Sequence, residues 1–366
     1  MGTLSRVVDR VVNRTSLPGP LPASVEAHEL VDRTPIVDLL VGSALFRESF
    51  VHGGSGHVDL TRAQRAGVRI LGMTVATAWP DLRGSLSRWH FRSLGLPRRS
   101  VGSHMAIAEW LIGRIEGWCD ESDGRLRIIR SRFDLEVCLA DGGPVGIVLG
   151  VQGGHVIEGR LANIARLREL GIRMYAPAHV MDNALVGSST GRKRGRLTPL
   201  GRESTAEFES QGVIVDLAHM SIPGIEQTLP LLERPFTLSH AGLTDVAASR
   251  SRWRSYSAAT RNVPASLAGE VAAAGGLVGI VMSTELLGGP YLGDAVATIR
   301  TALEACGSDK VGIGSDMDGA LKMLIDVEGY PALAGALLES DVPASSVEGV
   351  MGRNAIALLR EALPEN

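Results

Sequence analysis

The sequence predicts a (β/α)8 barrel, that is, a TIM barrel, with an N-terminal helical extension and closing C-terminal helices. Three observations carry this. Eight short apolar runs recur along the 366 residues, and most are continuous rather than alternating, as strands buried on both faces of a parallel sheet are. Helical patterns separate most of them, which is the alternation of a closed α/β barrel. No G-x-G-x-x-G follows the first run, which weakens the runner-up, an open doubly wound sheet.

Residues 1–30 read as an extension: a short amphipathic helix, the LPGPLP break, and a second helix at about Ala23–Asp32. Residues 31–366 read as one barrel domain. The strands are expected at Pro35–Leu40, Val68–Ala76, Gly146–Val151, Ile172–Ala176, Val213–Ala218, Phe236–Ser239, Leu277–Met282 and Val311–Ser315. Helices are expected at His104–Asp120, where Ile107, Trp110, Leu111, Ile115 and Trp118 recur at helical spacing, and at Leu161–Leu170, Ala265–Ala274 and Leu292–Cys306. Two more, Ala332–Leu338 and Ser345–Leu363, close the chain.

Composition narrows the function. Apolar residues are 45% and charged residues 21%, enough for a large core, and the net charge is −3. One short basic patch, Arg192, Lys193, Arg194 and Arg196, lies among Gly, Ser and Thr and reads as a solvated loop, so no nucleic-acid partner is expected. Cys119, Cys138 and Cys306 are far apart with no CxxC pair and read as reduced thiols of a cytoplasmic protein. The N-terminus carries no apolar stretch long enough for a signal peptide or a span, so no membrane partner is expected.

Two of the apolar runs, VIVDLA and PFTLS, each end in a histidine, His219 and His240. Either each ring caps its strand, or the two imidazoles share one rim and hold a metal ion. In a barrel, chemistry sits just past the C-terminal end of each strand. Those positions are Leu40 to Gly42, Thr77, Gln152, His179, His219, His240, Ser283 to Glu285, and Asp316. The Asp and two of the histidines form a set able to converge on one ion.

The ordered segments GVQGGH, MYAPAH, GVIVDLAHMS, PFTLSHAGL, RNVP, VGIGSDMDG and MGRNAIALLRE resemble the membrane (renal-type) dipeptidase family of zinc peptidases, from about Ala23 to Ala362. The resemblance implies a (β/α)8 barrel of amidohydrolase type whose binuclear zinc site hydrolyses dipeptides and related amides. It implies that His219 and His240 hold the second metal, that Asp316 is a first-metal ligand beside the attacking water, and that His179 contacts the scissile group. It further implies that Arg261 binds the substrate carboxylate and that Asn183 is a polar substrate contact. A homodimer is a further implication.

The departures bear on the metal. The family's first strand ends in His-x-Asp, where this chain has Leu40 and Gly42, and its bridging Glu is Gln152. A neutral amide cannot balance two dications in a low-dielectric pocket. One zinc ion is therefore expected rather than two, on His219, His240 and Asp316 with Gln152 as a weak contact. Asp38 is read as ordering the strand-one turn, Asp318 as a turn former before Gly319, and His52 and His57 as members of an exposed loop. His155 and Glu285 are read as local rim contacts. Two functions remain open: a one-metal hydrolase of dipeptides or small amides, and a descendant that binds a small carboxylated ligand without hydrolysis.

Overall fold

The computed structural model describes residues 2–79, 87–249 and 256–365. Eight parallel strands form its central sheet: β1 (Ile36–Val41), β2 (Val68–Ala76), β3 (Val145–Gln152), β4 (Met174–Ala176), β5 (Ile214–Val215), β6 (Thr237–Ala241), β7 (Leu277–Ile280) and β8 (Val311–Ile313). Their order is β5-β4-β3-β2-β1-β8-β7-β6. The ends of that path meet through a parallel bridge between Asp216 and Thr237, where Leu217 N–H donates to the Thr237 carbonyl at 2.7 Å. The sheet is thus closed, as the continuous apolar strands require. A short strand, Leu126–Ile128, lies beside the start of β3.

Side chains alternate between two apolar layers. Val37, Leu39, Ile70, Val148, Met174, Ile214 and Leu277 fill the barrel interior and pack on Ile356, Leu358 and Leu359 of the terminal helix, which plugs the bottom. Ile36, Val41, Val68, Leu71 and Met73 face the outer helices. Two buried carboxylates stiffen opposite walls in the same way. Asp38 accepts from Leu40 N, Ser315 N, Ser315 Oγ and Tyr330 OH. Asp216 accepts from Ala218 N, Ser239 N and Ser239 Oγ. Both are fully buried, and burial raises the pKa of each. Asp38 therefore orders the strand-one turn, as read from the sequence.

Helices flank the sheet. Leu292–Cys306 falls where expected, and His104–Glu121 starts at Ser103, whose hydroxyl accepts from Ala106 N. The expected helix at Ser345–Leu363 is broken into Ala344–Glu348 and Asn354–Ala362. The cause is at Gly352, where a Cβ would lie 1.9 Å from the carbonyl oxygen of Pro35. Close approach of the chain to the start of β1 bends it there. Helices at Leu60–Arg65, Arg132–Leu139 and Pro199–Ser210 were not anticipated. Among the described residues no helix is long and apolar enough to cross a membrane.

The N-terminal segment is not a helix followed by a free linker. Thr3–Val7 is α-helical, but Thr15–Leu17 forms a strand parallel to Met323–Ile325, beyond β8. Asp9 reaches Arg47, which is 1% exposed and also faces Asp59 and Asp318. This corrects two expectations. Asp318 is fully buried and accepts from Ser43 Oγ and His57 N, so it anchors an ionic network as well as a turn. His57 is fully buried rather than in an exposed loop: Nδ1 accepts from Asp318 N at 2.9 Å and Nε2 faces the Arg14 carbonyl at 3.1 Å. His52 is exposed and pairs with Glu121.

Candidate functional site

The C-terminal ends of the strands surround a cavity of about 430 Å³. Leu40 near the end of β1, Gly42 just after it, Gln152 at the end of β3, His179 after β4, His219 after β5 and Asp316 after β8 all line it, with Trp79 and Tyr256. The register places them at one level: Ala76 opposes Gln152, and Gln152 opposes Ala176. His219 and Asp316 both adopt left-handed backbone, at φ 66° and 64°. Non-glycine residues held there cost of order 1 kcal/mol or more each and concentrate at functional sites.

Three imidazoles stand in a row. The ring centroids of His179 and His219 are 4.8 Å apart, as are those of His219 and His240. Nε2 of His219 lies 2.9 Å from Nε2 of His240. Behind them runs a relay. Ser239 Oγ donates to Asp216 at 2.6 Å, so His240 Nδ1, 2.7 Å away, is assigned as donating to that hydroxyl. His240 then offers the lone pair of Nε2, and His219 Nε2–H points at it. A carboxylate–hydroxyl–imidazole chain of this kind fixes ring orientation and tautomer.

Burial dominates the electrostatics. It drives His219 and His240 well below the ordinary histidine value, with Arg261 adding to the effect. His179 falls to about 3, again by burial first and Arg261 second. Burial lifts Asp316 to about 7; Arg261 opposes the rise and Asp38 adds to it. The rings are neutral and Asp316 is poised near neutrality.

Two expected site residues do not reach the cavity. Arg261 is 1% exposed and donates through Nη2 to the backbone carbonyl of His240 at 2.7 Å. It braces the site from beneath and is not part of the cavity lining. Asn183 is spent on its own loop, accepting from Leu185 N and Val186 N and donating to the Pro177 carbonyl. Of the rim residues, Glu285 is exposed and His155 stacks near His104 at 5.5 Å. Tyr256, Trp79 and Arg192 line the cavity without having been singled out for it; only proximity in the fold identifies them.

Two metal ions do not fit this donor set. Leu40 and Gly42 offer no ligand atom, and Gln152 is neutral, with Nε2 unpartnered. Among the described residues no group of three or more His, Cys, Asp or Glu is arranged to hold an ion. One ion fits in a limited sense: with the His219 proton moved to the unpartnered Nδ1, both Nε2 lone pairs, 2.9 Å apart, become usable ligands.

Comparison with known proteins agrees with this architecture. The profile of the membrane dipeptidases (Peptidase family M19) matches residues 25–364. Dipeptidase tcpJ of Claviceps purpurea is 26% identical over 323 residues, covering 84% of this chain and 69% of its own length. The uncharacterized dipeptidase C965.12 of Schizosaccharomyces pombe is 26% identical over 249 residues, covering 64% of this chain and 58% of its own. Among solved structures, the probable dipeptidase PvdM of Pseudomonas aeruginosa superposes with a TM-score of 0.76 at 17% identity, covering 92% of this chain and 97% of that one. A metallopeptidase of Rhodobacter sphaeroides, bound to a phosphinate mimic of the dipeptide L-Ala-D-Ala, gives 0.75 at 21% identity, with coverages of 90% and 99%. These structures share the barrel. Membership of the matched family carries a hydrolase activity of dipeptidase type and a metal cofactor, generally zinc. The profile covers nearly the whole chain, and the chain therefore belongs to the membrane dipeptidase family, Peptidase family M19.

Proposed function

We propose that this protein hydrolyses dipeptides or similar small amides with one metal ion rather than two. The single observation that carries this is the His219–His240 pair, ordered through Ser239 and Asp216, with His219 lining a cavity that Asp316 and His179 also line. His219 and His240 would hold the ion, with Asp316 as a further ligand. When bound, it would polarise the scissile carbonyl and acidify a water.

The chain's own residues supply the rest. Burial lifts Asp316 to about 7 without an ion, and an ion beside it would favour its carboxylate form, the form in which it accepts a proton. Serving as both ligand and base is difficult for one side chain, so slow turnover is expected. His179, neutral and with Nδ1 unpartnered, steadies the carbonyl oxygen. Trp79, whose ring centroid is 5.7 Å from that of His179, restricts water on this side. Arg261 keeps His240 in place and biases the three rings toward their neutral forms. A cytoplasmic location is proposed on three free cysteines, and a homodimer on the family alone.

A second reading has its own support. Among the described residues His219, His240 and Asp316 do not stand ready-made as a three-ligand group, which favours a protein that binds a small carboxylated ligand without cleaving it. Metal content separates the two. The purified protein is expected to contain about one zinc per chain, and turnover of a dipeptide panel is expected to stop on chelation and return on zinc addition. Metal-free protein that binds peptides without cleaving them would establish the second reading.

A further inference from the structure

We infer that Arg192 makes the cavity selective for dipeptides bearing an acidic side chain, a substrate class that rests on the reading above. Among the described residues, Arg192 is the one cation that lines the cavity, and it is exposed at the rim with no carboxylate within ion-pair distance. Its neighbours Lys193, Arg194 and Arg196 are exposed as well, and none of the three has an ion-pair partner among the described residues. A sequence reading takes this run as solvated loop. Its place at the mouth gives it another use.

The loop is built to hold that place. The Asp182 carboxylate accepts from the backbone N–H groups of Ser188 at 2.9 Å, Lys193 at 2.7 Å and Arg194 at 3.2 Å. A Cβ on Gly191 would lie 2.1 Å from Asp182 Oδ1, so the residue before Arg192 must be glycine. Thr190 Oγ1 donates to the Val180 carbonyl at 2.7 Å, and Ser188 Oγ donates to the carbonyl of His179. Arg192 is thereby tied to the backbone of a ring inside the cavity. Its position is set by the fold, while among the described residues no carboxylate pairs with its guanidinium.

A second observation points to a ligand. Gln152 is 7% exposed and His179 8%, both line the cavity, and Gln152 Nε2 and His179 Nδ1 have no hydrogen-bond partner. Buried polar atoms left open in a cavity are sites a ligand satisfies. Against them the described lining offers a single carboxylate, Asp316. Arg261, a buried cation near the histidines, gives Nη2 to the His240 carbonyl and lies outside the cavity lining. The guanidinium fork that meets an anion from solvent is therefore that of Arg192, whose geometry matches a carboxylate. Arg192 is exposed at the rim rather than buried beside the histidines, where a scissile amide would lie, which is why the selectivity is assigned to the side chain. The cluster also attracts anions before contact, in a salt-dependent way.

The test compares Ala-Glu with its neutral isostere Ala-Gln by calorimetric titration of the full chain, with kcat/KM replacing Kd for any peptide that is turned over. Ala-Glu is expected to be favoured by about tenfold at low salt, the size of one charge-assisted contact, and by clearly less at about 0.5 M salt. Arg192→Ala is expected to abolish the preference while leaving Ala-Gln within about twofold, with an unchanged melting curve because the side chain is exposed. Arg192→Lys keeps part of it. Equal affinities for the two peptides, or a preference that survives Arg192→Ala, overturns the assignment and leaves the peptide-binding reading intact. Equal weakening of both peptides by Arg192→Ala overturns it too, by moving Arg192 to the α-carboxylate. If neither peptide binds, the assignment and the reading beneath it fall together.

Discussion

The backbone of Asp318 closes over Gly42: a Cβ at Gly42 would lie 3.0 Å from the Asp318 carbonyl oxygen and 3.1 Å from Cα of Gly319. The position where the family carries a metal-binding Asp is thus packed against the turn after β8, and that turn is anchored by Arg47 and His57. Position 42 holds a glycine with little room for a side chain where two strand ends meet.

Restoring the ligands consequently has two separable effects. Gly42→Asp alone is expected to cost about 1–3 kcal/mol, as overpacking does, read from urea unfolding. The combination Leu40→His, Gly42→Asp and Gln152→Glu is expected to raise zinc from one to two per chain and to increase dipeptide turnover. A folded triple variant that takes up no further zinc would show that positions 40, 42 and 152 do not face the histidine pair as described.

Arg261 is expected to behave as a brace. Arg261→Ala empties a fully buried site and leaves the His240 carbonyl without its donor, which should destabilise the protein by about 2–4 kcal/mol. Thermal unfolding of Arg261→Ala and Arg261→Met measures this. A melting temperature unchanged in both variants, with only peptide affinity reduced, would instead place Arg261 on the substrate.

Acid stability has a component far from the cavity, at the helix Arg132–Leu139. Burial pushes Asp134 upward, but bonds from Arg130 N, Arg127 and Ser131 outweigh it and hold the carboxyl below its ordinary 3.8. A depressed folded pKa stabilises at pH above the unfolded value, and the contribution fades as pH falls from 3.8 through the folded value. Asp134→Asn removes it together with the charged half of the capping box. The variant is expected to lose about 1 kcal/mol at pH 7 and to converge on the parent below pH 3, by unfolding at both pH values. An equal gap at both would rule out the carboxylate's charge as the cause.

Much of this molecule is written in local patterns. Continuous apolar runs at eight places dictate a closed parallel sheet, because only a strand covered on both faces can afford them. The places of His219 and Asp316 at the cavity are legible because the strand ends of a barrel surround its mouth. Other features depend on contacts between residues distant in sequence. Gly352 breaks the last helix because Pro35, over three hundred residues earlier, approaches it. His57 is buried because Asp318 and Arg14 receive its two ring nitrogens. Arg261 braces the His240 carbonyl because that oxygen lies within its reach, and Arg192 lines the cavity on a loop that Asp182 holds through backbone N–H groups. Periodicity records which face of an element is apolar. Which polar atom meets which is decided only when the barrel closes and brings them within about 3 Å, the range over which hydrogen bonds act.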